Sequence, residues 1–186
     1  MELGRSSDYD LVPLMASNVV ASSPETHPIA DDAAIEALVG AAAEHAKDGD
    51  LVFVYISTHG RRGALSRKID AFSEQPLSAD ALSQLLQPVA GRRTVIFLSA
   101  CFSGSLLSES KSDDRIIVAA ARADRASFGC RPTAQHTYFG EAVLRSFGHR
   151  ERSLQQIMAD VSAEVAGRSG PTAIRLRSRR CSWDET

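Results

Sequence analysis

A chain of 186 residues, 44% hydrophobic and 24% charged, fits one globular domain large enough to bury a core of its own. Its net charge of −2 argues against a nucleic-acid binder, which carries a basic excess. No apolar run approaches the roughly 20 residues of a membrane span, and the N-terminus MELGRSSDYD has no apolar signal core. Three cysteines, Cys101, Cys130 and Cys181, are too few and too scattered for a disulfide framework or a zinc site.

In chain order, residues 1–27 are mostly polar, with a short apolar patch at Leu11–Met15 that reads as an edge strand, where Pro13 is tolerated. Asp31 or Asp32 caps a helix running to about Lys47, with Ile35, Leu38, Val39 and Ala42 as its buried stripe. The turn Asp48-Gly49-Asp50 leads into Leu51–Ile56, an apolar run without alternation that predicts a strand buried on both faces. From Arg61 to Pro76 the polar sequence reads as a surface loop. Ser78 caps a short helix with Leu82, Leu85 and Leu86 inward. Gly91-Arg92-Arg93 turns into a second apolar run, Thr94–Leu98. After a charged, serine-rich loop, Arg115–Ala121 is a third buried strand, followed by the irregular stretch RADRASFGCRPTAQHT. Tyr138–Phe147 reads as a helix with Phe139, Val143 and Leu144 on one side. Ser153 and Gln156 form a capping-box pattern for a last helix to about Gly167. The tail from Pro171 has no clear period. Strands that are continuous apolar runs, alternating with helices, predict a mostly parallel sheet covered on both faces.

Two strand ends carry chemistry. The first run ends in Ser57-Thr58-His59-Gly60, the second in Ser99-Ala100-Cys101 followed by the turn Phe102-Ser103-Gly104-Ser105. Ligands of open parallel sheets bind at the carboxyl edge of the strands. If the two strands are parallel neighbours, an imidazole and a thiol share one rim, which is what a cysteine nucleophile needs. A free thiol, with a pKa of about 8.5, attacks well only as the thiolate, and a nearby imidazole and the start of a helix after Cys101 both favour that form. The tetrahedral oxyanion finds natural donors in the N–H groups of Gly60 and Cys101. The other histidines, His27, His45, His136 and His149, read as surface or loop residues, Cys130 as a packed core thiol and Cys181 as an exposed one.

LVFVYISTHG, TVIFLSACFSGSLL, RIIVAAARADRASFGC and TYFGEAVL, in that order, resemble the legumain-type family of cysteine peptidases in the caspase-like clan, its bacterial branch above all. The resemblance runs from about Pro28 to Phe147. It implies an α/β, caspase-like three-layer fold with a mostly parallel sheet, and a peptidase domain over residues 28–170 between an N-terminal segment, 1–27, and an irregular tail, 171–186. The family's first strand and helix are expected to be lacking. It implies hydrolysis of peptide bonds with His59 as base and Cys101 as nucleophile. By match, Ser99, Ser127 and Glu141 line the specificity pocket. A carboxylate and a hydroxyl there leave asparagine, protonated aspartate and arginine open, and Ala126 stands where eukaryotic members tend to have a second serine.

The expected partner is a peptide or protein substrate, with no cofactor, no metal, no nucleic acid and no membrane span. An exposed sheet edge invites self-association. As it stands the sequence predicts a cytoplasmic protein; an upstream export signal would make it periplasmic or secreted. Besides the endopeptidase, two readings stay open: a catalytically inactive caspase-like domain that binds a protein partner, and a transamidase using the same dyad with an amine acceptor.

Overall fold

A computed structural model describes residues 31–68, 73–108, 112–127, 136–147, 153–169 and 175–176. The expectations for Leu11–Met15, His27, His149, Cys130 and Cys181 lie outside these residues. The main sheet has the order β1-β5-β6-β7, built from Leu51–Ser57 (β1), Arg93–Ser99 (β5), Arg115–Ala119 (β6) and Arg175–Leu176 (β7). The first three strands run parallel; β7, two residues inside the stretch read as an irregular tail, adds antiparallel to β6.

The apolar runs work as expected for central strands. On β5, Ile96 and Leu98 face one layer and Val95 and Phe97 the other. On β6, Ile117 and Ala119 alternate in the same way with Ile116 and Val118. The first layer holds helix α1 (Asp32–His45) and helix α2 (Ala79–Leu85), whose Leu82 and Leu85, with the following Leu86, are buried. The second holds α3 (Tyr138–Phe147) and α4 (Leu154–Ser169). Helices on both faces of one sheet make the three-layer, caspase-like α/β architecture. Phe97 anchors the second layer: fully buried, it packs against Phe53, Phe139 and Phe147 with ring centroids 5.1, 6.0 and 6.0 Å away. Truncating such a residue to alanine costs about 3–5 kcal/mol.

Helix starts follow their capping residues. The Asp31 side chain accepts from the Ala34 N–H at 2.8 Å, and that of Ser78 from the Ala81 N–H at 3.2 Å. The capping box is reciprocal: the Ser153 N–H donates to Gln156 Oε1 at 2.9 Å and the Gln156 N–H to Ser153 Oγ at 3.3 Å.

Three expectations are corrected. Of the β1 side chains only Val52 is buried, because β1 is the edge of the described sheet; the strand is half-covered rather than buried on both faces. Leu144 is half-buried, and Ala142 and Ser146 join Phe139 and Val143 on the covered side of α3. The stretch read as a surface loop is a second, antiparallel sheet of Gly60–Arg61 (β2), Ala64–Lys68 (β3) and Glu74–Ser78 (β4). Its only large inward side chains among those described are Leu65 and Leu77, which lie directly opposite each other across the ladder. Two inward leucines in an otherwise polar stretch give no apolar run to read. This small sheet begins at the candidate base and folds over the end of the large one.

Candidate active site

The parallel ladder between β1 and β5 is in step to its last rung, where Ser57 stands opposite Ser99. It continues one bond further, with the Thr58 N–H donating to the Ser99 carbonyl at 3.2 Å. His59 and Cys101 each lie two residues beyond those paired serines, so the two strands deliver them to the same rim at the same height. Gly60 brings the two chains into contact. A Cβ on Gly60 would lie 2.1 Å from the Cys101 carbonyl oxygen and 3.1 Å from the Ala100 Cβ. Only a residue without a side chain fits there.

Beyond the cysteine the chain reverses through Phe102, the one described non-glycine residue with positive φ (56°). That left-handed conformation costs roughly 1–2 kcal/mol, and several bonds hold it. The Phe102 N–H donates to the Arg125 carbonyl at 2.9 Å, and the Phe102 carbonyl accepts from the Ser105 hydroxyl at 2.7 Å and the Ser105 N–H at 2.9 Å. Ser105 Oγ in turn accepts from the Gly63 N–H at 2.8 Å, and the Arg62 guanidinium lies 5.9 Å from the Phe102 ring centroid. The tip of the β2–β3 hairpin is thereby fastened to the turn that carries the thiol. The helix expected after Cys101 is one 3-10 turn, Ser103–Leu106, too short to build a macrodipole of consequence.

The thiol is half-buried. Its sulfur accepts from the Ser127 N–H at 3.3 Å and lies 3.9 Å from the Ser127 carbonyl, within reach of S–H donation. The His59 ring is exposed and has no hydrogen-bond partner among the described residues, while its carbonyl accepts from the Ser66 N–H at 2.8 Å. That bond makes Gly60 and Leu65 a non-hydrogen-bonded pair of the ladder, so the Gly60 N–H points away from β3. The Cys101 N–H has no protein acceptor among the described residues. Beside His59 opens a recess of about 250 Å³, lined by Gly60, Arg61, Leu65, Ser66, Glu74 and neighbours.

Of the residues singled out by sequence, His59, Gly60, Cys101 and Ser127 thus lie along one rim, with Ser127 touching the sulfur through its main chain. Ser99 lies beneath them, 3% exposed, its hydroxyl 2.9 Å from Thr137 Oγ1. Glu141, in the first turn of α3, is engaged with two arginines: Arg145 and Arg168 each reach its carboxylate at 2.5 Å. The Arg168 hydrogen bond, reinforced by the charge of Arg145, holds the Glu141 carboxyl below its ordinary value. Its oxygens serve the α3–α4 contact.

Two participants escaped the sequence reading. Thr137 caps α3: its hydroxyl accepts from the Gly140 N–H at 3.0 Å while meeting Ser99. A threonine directly before the helical run YFGEAV is the signal that pointed to it. The hairpin tip Arg62-Gly63 also had a signal, a glycine in a two-residue turn. Among the described residues no three His, Cys, Asp or Glu side chains gather in a set that could hold a metal ion, and no helix is long and apolar enough to cross a membrane.

Comparison with known proteins bears on this rim. The crystal structure of caspase-1 from Spodoptera frugiperda superposes with a TM-score of 0.55 over 82% of this chain and 70% of that one, at 20% sequence identity. That similarity shows the fold. A search of curated proteins finds no match. The sequence profile of the Peptidase C13 family matches residues 31–168, a span that contains both strand ends and the helices packed on the sheet. The chain therefore belongs to the Peptidase C13 family, the legumain family of caspase-like cysteine peptidases.

Proposed function

We propose that the chain is an endopeptidase of legumain type that hydrolyses peptide bonds with Cys101 as nucleophile and His59 as general base and acid. The observation that carries this reading is the in-step ending of β1 and β5, with Gly60 against the Cys101 carbonyl. A scissile carbonyl laid over that rim meets the sulfur from the open side. Cys101 Sγ bonds to the carbonyl carbon while His59 takes the thiol proton. The N–H of Ser127 supports a charged sulfur, since hydrogen bonds to ionised acceptors are the stronger ones. The oxyanion is received by the N–H groups of Cys101 and Gly60, each worth roughly 3 kcal/mol of barrier. The carbon–nitrogen bond then breaks, and the amine leaves with the proton from His59. Water, deprotonated by His59, attacks the thioester; the acid departs and the proton returns to sulfur. Ser127 and, from below, Ser99 shape the adjoining wall.

One observation favours the second reading, an inactive domain that binds a partner: the His59 ring makes no bond to the sulfur, which faces Ser127 instead. Catalytic hydrogen bonds in unliganded enzymes are often long and tighten only around substrate, so the peptidase reading stands first. Cys101→Ala is expected to reduce peptide cleavage, and labelling by a thiol-directed peptide probe, to background with an unchanged unfolding midpoint. Cleavage retained by that variant ends the reading.

A further inference from the structure

Strand β1 is the edge of the main sheet among the described residues, and its open side has a definite hydrogen-bonding phase. The Thr58 N–H donates to the Ser99 carbonyl. Main-chain groups alternate between the two sides of a strand, so Val52, Val54 and Ile56 also turn theirs toward β5, opposite Thr94, Ile96 and Leu98. The N–H and C=O groups of Leu51, Phe53, Tyr55 and Ser57 therefore face away from β5, and none has a main-chain partner among the described residues. Natural sheet edges are guarded by charges, prolines or bulges. Leu51–Ser57 contains no charged residue, proline or glycine. Leu51, 48% exposed, is the one large exposed hydrophobic side chain among the described residues.

A second β1 fits this edge best. Paired antiparallel about a two-fold axis at Val54, all of its residues find partners. Phe53 faces Tyr55 and Leu51 faces Ser57; each pair joins two residues whose main-chain groups point outward, the pairs that exchange both bonds. Val54 meets its own copy, and Val52 meets Ile56. The side chains match on both faces. Phe53 and Tyr55 belong to the α3–α4 layer, and Val52, Val54 and Ile56 to the α1–α2 layer, and aromatic and β-branched cross-strand pairs stabilise a ladder. Charge selects the antiparallel direction. Before the strand stand one lysine and two aspartates, Lys47, Asp48 and Asp50; after it stand Arg61 and Arg62; all of them are exposed. A two-fold axis sets the acidic end of each strand beside the basic end of the other, whereas parallel pairing sets like beside like. The chain's own candidate strand, Leu11–Met15, is the poorer match, because Pro13 at its centre offers no N–H.

We propose that β1 is a homodimer seam: a second copy of the chain adds antiparallel about Val54 and makes one continuous sheet. The seam is about 23 Å long and roughly 10 Å wide. Two such strips bury on the order of 500 Å², below the roughly 1,200 Å² of a stable interface, so the dimer dissociates on dilution. The proposal stands apart from the peptidase reading and is tested on the full chain under reducing conditions, where no disulfide contributes. Sedimentation velocity from about 10 μM to about 500 μM should show the mass rising from monomer toward dimer. Hydrogen exchange at the Phe53 and Tyr55 amides should slow about tenfold when about 90% of the chain is paired. The Val52, Val54 and Ile56 amides, bonded to β5, should stay equally protected at every concentration. Leu51→Lys alters an exposed position and sets a charge at the basic end of the partner strand, so it should raise the dissociation constant about tenfold. A dimer in which Phe53 and Tyr55 exchange freely, or one that Leu51→Lys leaves untouched, uses another surface and overturns the proposal. A monomer at every concentration overturns it as well, and protected Phe53 and Tyr55 amides in that monomer would mean that the edge is filled from within the chain.

Discussion

Replacing Gly60 with alanine tests the geometry of the rim at its tightest point. The added Cβ would lie 2.1 Å from the Cys101 carbonyl oxygen, where real Cβ atoms essentially never approach within 3.0 Å. One backbone must retreat by about 1 Å merely to clear that limit, and further to reach ordinary van der Waals contact. Neither has a cheap way to do so. On one side the His59 carbonyl is bonded to the Ser66 N–H; on the other, Phe102 is held in its left-handed turn by the Arg125 carbonyl and by Ser105. The overpacking should cost about 1–3 kcal/mol, or roughly 2–12 °C in the unfolding midpoint of a domain this size. The site should suffer more than the fold, because a 1 Å misplacement of reacting groups costs on the order of a hundredfold in rate. Thermal unfolding reads the first effect; kcat/KM on a cleaved peptide, or the rate of Cys101 labelling by a peptide probe, reads the second. Gly40→Ala is the matched comparison. It lies inside α1 with no atom within 4 Å of the new methyl, and it should stabilise the chain by up to about 1 kcal/mol with no change at the site. A Gly60→Ala protein with wild-type stability and wild-type thiol chemistry would mean that the two strand ends separate freely, and the argument for a shared rim would fail.

Thr137→Val removes the cap of α3 and leaves the buried Ser99 hydroxyl without its partner; a loss of about 1–3 kcal/mol in urea unfolding is expected, with most of it recovered in Thr137→Ser. Ser105→Ala takes the acceptor from the Gly63 N–H and one donor from the Phe102 carbonyl. It should cost about 1 kcal/mol and speed hydrogen exchange at the Gly63 and Ser66 amides, and unchanged exchange there would contradict the fastening of the hairpin. Glu141 predicts a pH effect. Its carboxyl is held below the ordinary 4.5 by the Arg168 hydrogen bond and the charges of Arg145 and Arg168, so the unfolded chain binds the proton more readily. The resulting stability is complete above about pH 4.5 and is lost as pH falls through the lower folded value. Glu141→Gln should therefore be less stable than wild type at pH 7, with the gap closing toward pH 3; a gap constant over that range would refute the assignment.

The large sheet was readable because its strands are apolar on both faces. Val95 to Leu98 are buried without exception, and no other element needs such a run. Helix starts were readable where a capping side chain precedes the periodic residues, as at Asp31, Ser78 and Ser153. The edge position of β1 was not, since composition records what a strand can bury and not which neighbour lies beside it. The β2–β4 sheet escaped because its stability rests on a backbone ladder and on one cross-strand leucine pair, a signal diluted by arginines, serines and a proline. Residue types at strand ends singled out His59, Gly60 and Cys101, which the structure places along one rim. The contact of the Ser127 main chain with the sulfur could not be read, because it depends on the path of a loop 26 residues further on. Nor could the occupation of Glu141 by two arginines, one of them 27 residues away on α4.

The matched endings of β1 and β5 make the sheet a ruler graduated in residues. The turn at 46–50 can absorb an inserted residue, because the rungs above it fix where the strand stands. An insertion between Ser57 and His59 has no such buffer: it would carry the imidazole about 3.3 Å past the sulfur while every rung below stayed paired. On the proposed mechanism, length variation is therefore harmless at one end of these strands and disabling at the other, and a protein altered at the second end would fold well and still be unable to bring imidazole and thiol level.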